Sequence, residues 1–274
     1  MPLLREFVAG RGLDAGISVT EGCGHATDLA RAAVAAGCTR VVSVGGDGTM
    51  NEVAQALVGT PVTLALVPCG SGNGLARHLG IPLAAPAALA LAAEAGARIA
   101  TIDTGTANRR PFFNAMGLGF DAEVSRRFSQ NPRRGLPAYA GTVLRLFARR
   151  RSEPCLISAG AEREAIEVLL IAVANSDQYG NGAIIAPGAR VDDGRLDLVA
   201  IRPVGLLGAA ELGARLFLGN LDRSRLVRHW RGARFRIERP APGLIHTDGE
   251  CHEEGATIEV VVLPGSLRVA APAV

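Results

Sequence analysis

Lysine is absent: all 29 basic residues are arginine. That excludes the P-loop NTPases, whose GxxxxGK[ST] loop places a lysine on the phosphates. Aromatic residues are scarce at 4%, and no zinc finger, RRM or KH motif occurs, so a nucleic-acid partner is not expected despite a net charge of +3. The five cysteines, Cys23, Cys38, Cys69, Cys155 and Cys251, form no CxxC pair. An odd, unpaired set argues for reduced thiols in the cytoplasm over a disulfide framework. Nor is there a run of eighteen apolar residues, because Leu83 to Ala93 is short and interrupted by Pro86, and no signal peptide is evident.

What is present is a globular chain, 48% hydrophobic over 274 residues, long enough for two domains. The first hundred residues alternate in the α/β manner. Periodicity predicts helices over His25 to Ala36, Met50 to Val58, Asn73 to Leu79 and Ala87 to Ala95, with strands over Arg40 to Val44 and Thr63 to Val67. This implies a Rossmann-like three-layer domain with a parallel sheet, residues 1–103. From 104 to 274 the texture is β-rich. Strands are expected over Phe112 to Phe120, Pro154 to Ser158, Ile166 to Asn175, Arg195 to Ile201, Arg234 to Arg239, Gly243 to His246, Thr257 to Leu263 and Ser266 to Ala271, with helices near Ala138 to Arg150 and Leu206 to Leu218.

Chemistry concentrates in Val41-Val42-Ser43-Val44-Gly45-Gly46-Asp47-Gly48-Thr49-Met50-Asn51-Glu52. A β-branched strand runs into glycines that let backbone N–H groups approach a ligand, and a helix N-terminus follows, which attracts anions. Thr49 and Glu52 have capping-box spacing. An acid among the glycines, Asp47, suggests Mg²⁺ or a group that orients a nucleophile. The loop is not GxGxxG, which disfavours a dinucleotide-binding dehydrogenase.

The string GGDGTMNE, followed by Pro68-Cys69-Gly70-Ser71-Gly72-Asn73-Gly74, then by Ala186 to Asp197 and by His246-Thr247-Asp248-Gly249-Glu250, resembles the diacylglycerol kinase catalytic domain family, which includes bacterial lipid kinases and sphingosine kinases. The four motifs arrive in the family's order. The resemblance implies an α/β nucleotide-binding domain, a β-sandwich-like lipid-binding domain with its last strand returning to the first, and an active site in the interdomain cleft. It implies ATP held by Gly45, Gly46, Asp47, Gly48, Thr49, Met50, Asn51 and Ser71, with Thr20 at the end of a strand. Glu250 is implied as general base, and the Arg190 and Arg195 carbonyls with the Asp193 carboxylate as a Mg²⁺ site. Without the resemblance, Asp248-Gly249 reads as a hairpin turn, Asp192 to Gly194 as a type I turn, Ser71 as an N-cap and Asp47 as a turn-capping acid.

Family members usually begin with a strand ending in Asn-Pro-x-x-Gly. Here residues 1–7 look like the end of the helix that follows it, so that first strand is expected to be missing. The arginines cluster, eight between Arg126 and Arg151 with no acid and seven between Arg223 and Arg239. Such patches fit an anionic membrane surface reached peripherally from the cytoplasm, or a merely solvated face. The expected activity is ATP- and Mg²⁺-dependent phosphorylation of a lipid hydroxyl, diacylglycerol first. A sphingoid-base kinase, an NAD kinase, a non-catalytic lipid- or nucleotide-binding remnant and a homodimer stay open.

Overall fold

The computed structural model describes residues 2–130 and 135–273. From the N-terminus come α1 (Pro2–Gly10), α2 (His25–Ala35), β1 (Arg40–Gly45), α3 (Asp47–Leu57), β2 (Thr63–Pro68), α4 (Gly74–His78), α5 (Ala85–Ala93) and β3 (Arg98–Ala107). Then follow β4 (Arg110–Phe112), β5 (Ala115–Gly119), α6 (Phe120–Ser129), α7 (Leu136–Phe147), β6 (Glu153–Ala159), β7 (Glu162–Val168), β8 (Leu170–Ala174), β9 (Gln178–Gly180) and β10 (Ala183–Ile184). The rest comprises β11 (Leu196–Ile201), α8 (Leu206–Leu218), a 3-10 turn (Leu221–Arg223), β12 (Val227–Gly232), β13 (Arg234–Glu238), β14 (Gly243–Thr247), β15 (Glu250–Glu254) and β16 (Thr257–Ala271).

Every residue of β2 is buried, as a strand needs when helices cover both faces of its sheet. Ala26, Ala30, Met50, Ala54 and Leu57 of α2 and α3 pack on Leu64 and Leu66. On the opposite face Leu4, Phe7, Ala88 and Leu89 of α1 and α5 meet Ala65 and Val67. The three layers are present, but the sheet is mixed. β1 and β2 run parallel, β2 is parallel to the end of β16, and β3 is antiparallel to β16 along its length. The last segment therefore forms one strand where the sequence suggested two, with a register shift between Leu263 and Leu267. β16 and β3 are shared by both domains, so a division at Asp103 falls inside a strand. Asp103 fastens this ribbon, accepting the Gly265 N–H at 2.8 Å and the Gly194 N–H at 2.7 Å.

The β-rich part is a sandwich. β16, β13, β6 and β7 face a second sheet of order β12-β11-β8-β5-β14-β15. Phe235, Ile237 and Val260 of the first meet Met116, Val173, Leu198 and Ile245 of the second. α7 and α8 cover the second sheet's outer face through Phe147 and Leu212, beside Ala172 and Val199.

Two expected strands are each broken. The run from Ile166 to Asn175 changes sheets at Leu169, between half-exposed β7 and buried β8, a break that the continuous apolar residues around it do not mark. The run from Phe112 to Phe120 stops at Phe113-Asn114, whose N–H groups bond a side chain instead of a strand, and its end becomes α6. Residues 13–21 form no strand, so Thr20 ends none. A ladder needs a neighbour, and among the described residues β1 pairs only with β2, leaving Val42 and Val44 exposed on the other side.

Candidate functional site

α3 begins at Asp47 with no side-chain cap, earlier than the spacing suggested. Glu52 caps a different helix. It accepts the N–H groups of Gly24 at 2.9 Å and Ala26 at 3.0 Å, and so fixes the start of α2. The first-turn amides of α3 are left for an anion. Gly45 is required because a Cβ there would stand 2.7 Å from Thr49 Oγ1.

The two glycine loops touch backbone to backbone. A Cβ at Gly70 would lie 2.7 Å from Gly46 Cα and 2.9 Å from Asn73 Oδ1. Asp47 closes the same contact, its carboxylate accepting the Asn73 N–H at 2.9 Å and the Gly74 N–H at 3.1 Å. Thus Asp47 caps α4, and its oxygens are engaged by backbone. Ser71 is exposed and is not the N-cap of α4, a position held by Asn73 at φ 53°. Met50 faces the core with its N–H bonded to Gly46 O, which removes it from the ligand-facing set. Gly70→Ala is expected to lower stability by roughly 1–3 kcal/mol, the scale of an overpacked contact. Thermal melting reads the effect.

The Asp248-Gly249 pair is a two-residue hairpin turn between β14 and β15, with φ of 49° and 88°. It is a tight turn and also the hinge of the site. The Asp248 carboxylate accepts the N–H groups of Phe113 (2.8 Å), Asn114 (2.8 Å) and Ala115 (3.0 Å), and the Asn51 Nδ2–H at 2.7 Å. Burial pushes this carboxyl up, and the four donors oppose the shift. Asp248 therefore locks the hairpin to the phosphate-loop helix, and Asn51 serves that lock.

Two residues on, half-buried Glu250 reaches the start of α3. A Cβ at Gly48 would stand 3.9 Å from its Oε1. Desolvation first, then the charges of Glu52 and Asp248, push the Glu250 carboxyl above its ordinary value. A poised, partly desolvated carboxylate over an uncapped helix N-terminus can take a proton from a hydroxyl that attacks an anion held there.

His246 is not a metal ligand. It is 4% exposed, its Nε2 lies 2.8 Å from Asp121 Oδ2, and its Nδ1 faces the Gly249 N–H at 3.3 Å. Because Nδ1 accepts, the proton sits on Nε2 and is donated to Asp121, which also accepts from Tyr179 Oη–H at 2.7 Å. This Asp121–His246–Tyr179 cluster supports the hairpin from behind. Sequence reading missed Asp121, since only its pairing with a histidine 125 positions away reveals it.

Of the groups expected to hold Mg²⁺, the carbonyls of Arg190 and Arg195 and the carboxylate of Asp193, the carboxylate has other partners in the fold. The Asp193 carboxylate is ion-paired with the Arg231 guanidinium and accepts the Arg195 N–H at 3.0 Å. A guanidinium already neutralises the one carboxylate, and a second cation there would be repelled. Chelator in the absence of nucleotide is expected to leave the melting temperature unchanged, and a fall would reveal a metal at this turn.

Family models fit both halves of the chain, the diacylglycerol kinase catalytic domain over residues 2–107 and the YegS C-terminal NAD kinase beta sandwich-like domain over residues 114–271. The chain belongs to the diacylglycerol kinase-like family of lipid kinases. A Pseudomonas aeruginosa (strain UCBPP-PA14) protein named "Probable lipid kinase YegS-like" is 37% identical over 96% of this chain and 86% of its own. The protein named diacylglycerol kinase of Mycobacterium tuberculosis (strain ATCC 25618 / H37Rv) is 30% identical over 96% and 86%. Among solved structures, a diacylglycerol kinase from Bacillus anthracis str. Sterne superposes with a TM-score of 0.75 at 20% identity, covering 98% of this chain and 91% of that one. An NAD kinase from Archaeoglobus fulgidus in complex with ATP has a TM-score of 0.56 at 12% identity over 98% and 88%, a likeness of fold alone. In this lipid-kinase frame the phosphate loop, the GSGN loop and the DGE hairpin converge, whereas Thr20 lies in an exposed segment and the Arg190 to Arg195 turn packs on Asp103.

Proposed function

We propose that the protein transfers the γ-phosphate of ATP to the hydroxyl of a membrane lipid, diacylglycerol first, giving phosphatidic acid. The observation that carries this reading is Glu250 standing over the uncapped start of α3 while Asp248 bonds Asn51 of the same helix. The amides of Gly46 to Thr49 and exposed Ser71 bind the phosphates. Asp47 holds the two loops at fixed separation. Glu250 accepts the lipid hydroxyl proton as the lipid oxygen bonds to the γ-phosphorus and the bond to the ADP oxygen breaks. Mg²⁺ accompanies the ATP phosphates and supplies charge neutralisation, a role that needs few protein ligands.

Retention of Asp47, Asp248 and Glu250 favours an active enzyme over a binding remnant. The test is transfer of labelled γ-phosphate from ATP to diacylglycerol, sphingosine, ceramide and NAD in mixed micelles, with and without Mg²⁺. Label in diacylglycerol alone supports the reading. Label in sphingosine changes the substrate, and label in NAD alone overturns lipid phosphorylation.

A further inference from the structure

The structure redistributes the arginines that the sequence presents as two runs. Arg126 and Arg127 pair with Glu123, Arg228 with Glu164, Arg231 with Asp193, and Arg236 with Glu238 and Glu259. Arg239 is buried among backbone carbonyls, and Arg133 and Arg134 lie outside the described residues. Arg145, Arg149, Arg151, Arg202, Arg223, Arg225 and Arg234 form no ion pair with an acid among the described residues.

Six of these, all but Arg234, lie close to α8 in sequence or in segments tied to it or to the residues before it by a neighbour's hydrogen bond. The end of α7, with Arg145 and Arg149 and then Arg151, is tied to the approach to α8 by Arg150 Nε–H donating to Val204 O at 2.9 Å. Arg223 and Arg225 sit in the segment folded back on α8, where Ser224 Oγ bonds Glu211 at 3.1 Å. Arg202 precedes α8 by four residues.

α8 is the element with an inverted surface. It buries Leu212, while Leu206, Leu207, Ala210, Ala214, Phe217 and Leu218 are all exposed and all apolar. At 3.6 residues per turn these positions make one stripe along the helix. Leu206 is 76% exposed, Leu207 89%, Phe217 50% and Leu218 72%, unusual values for four large apolar side chains on one face. The helix's charged residues, Glu211 and Arg215, pair with each other at 2.7 Å.

We infer that α8 is an interfacial anchor that lies on an anionic lipid bilayer, its apolar stripe in the headgroup and acyl boundary and the bordering arginines on lipid phosphates. An apolar helix face edged by basic residues has the chemistry of such an anchor. A second copy of the chain fits less well. In a symmetric pairing of two copies the arginines near the stripe would face like charge. The inference rests on the lipid-kinase reading only for its purpose, because the surface is defined without the catalytic hairpin.

The test is co-sedimentation of the full chain with phosphatidylglycerol/phosphatidylcholine vesicles and with pure phosphatidylcholine vesicles. Wild type is expected to bind the anionic vesicles, less so as salt rises, and L207E/F217E to bind about tenfold or more weakly. Both proteins are expected to phosphorylate a dispersed short-chain diacylglycerol equally, showing that the variant is folded. Equal vesicle binding by variant and wild type overturns the anchor, as does a wild-type dimer that the double substitution dissociates. Loss of vesicle binding by a variant that melts as wild type does, with no phosphorylation of the soluble lipid by either protein, supports the anchor while removing diacylglycerol as the substrate.

Discussion

Glu250→Gln is expected to lower kcat by about two to four powers of ten, the range of lost general-base catalysis, while the KM for ATP stays near wild type. Glutamine keeps the shape of the carboxylate and removes its basicity, so kcat and kcat/KM fall together, the mark of an interaction made in the transition state. A KM for ATP that rises in step would place Glu250 on phosphate or metal instead. The same substitution should stabilise the fold. Desolvation, Glu52 and Asp248 hold the Glu250 carboxyl above its ordinary value, so the folded state binds this proton more tightly than the unfolded state does. Stability is therefore lost as pH rises from the usual carboxylate range, about 4.3, through the raised value. Above that window the variant should melt higher than wild type, and the gap should close in acid. Calorimetry across pH, beside the kinetics, separates a functional carboxylate held at a stability cost from an idle one, which would show neither effect.

Asp248→Ala is expected to be the most damaging single change to the fold. The carboxylate satisfies three backbone N–H groups and the Asn51 amide, and alanine leaves those donors facing one another. At about 1–3 kcal/mol for each unsatisfied buried group, with some recovered by relaxation, the loss is on the order of 3–5 kcal/mol. That corresponds to a melting temperature lower by roughly 10 °C. The bond from Asn51 is the part that joins the hairpin to α3, so activity should fall further than the folded fraction does. Asp248→Asn should recover part of the stability, because one amide oxygen can still accept. A variant with full activity and an unchanged melt would mean that the hairpin holds its place without this lock.

The local motifs were legible because their chemistry is written in adjacent residues. Glycines beside a β-branched run require a tight loop, Asp-Gly between apolar stretches requires a hairpin, and Pro86 sits in the first turn of a helix. Partners far apart in sequence were not legible. Glu52 stands three residues after Thr49 and reads as its capping partner, yet its carboxylate serves the start of α2. Asp193 reads as a metal ligand until folding brings β12 and Arg231 beside it. Thr20 reads as a strand end, but strand formation depends on a neighbour as well as on its own residues.

By itself the sequence determined an α/β half followed by a β-rich half, and the glycine and acid motifs that could bind phosphate and take a proton. These follow from backbone freedom and hydrophobic period, both local properties of the chain. Only the tertiary structure decided which acids are committed and which is poised. Asp47 and Asp248 are engaged by donors from distant segments, whereas Glu250 is left over α3 with two acidic neighbours. Folding likewise paired Arg126, Arg127, Arg228, Arg231 and Arg236 with acids and left the arginines near α8 without acidic partners among the described residues. The reason is the same in both cases: a charged side chain acquires its role from the groups that share its space, and the chain order does not carry that information.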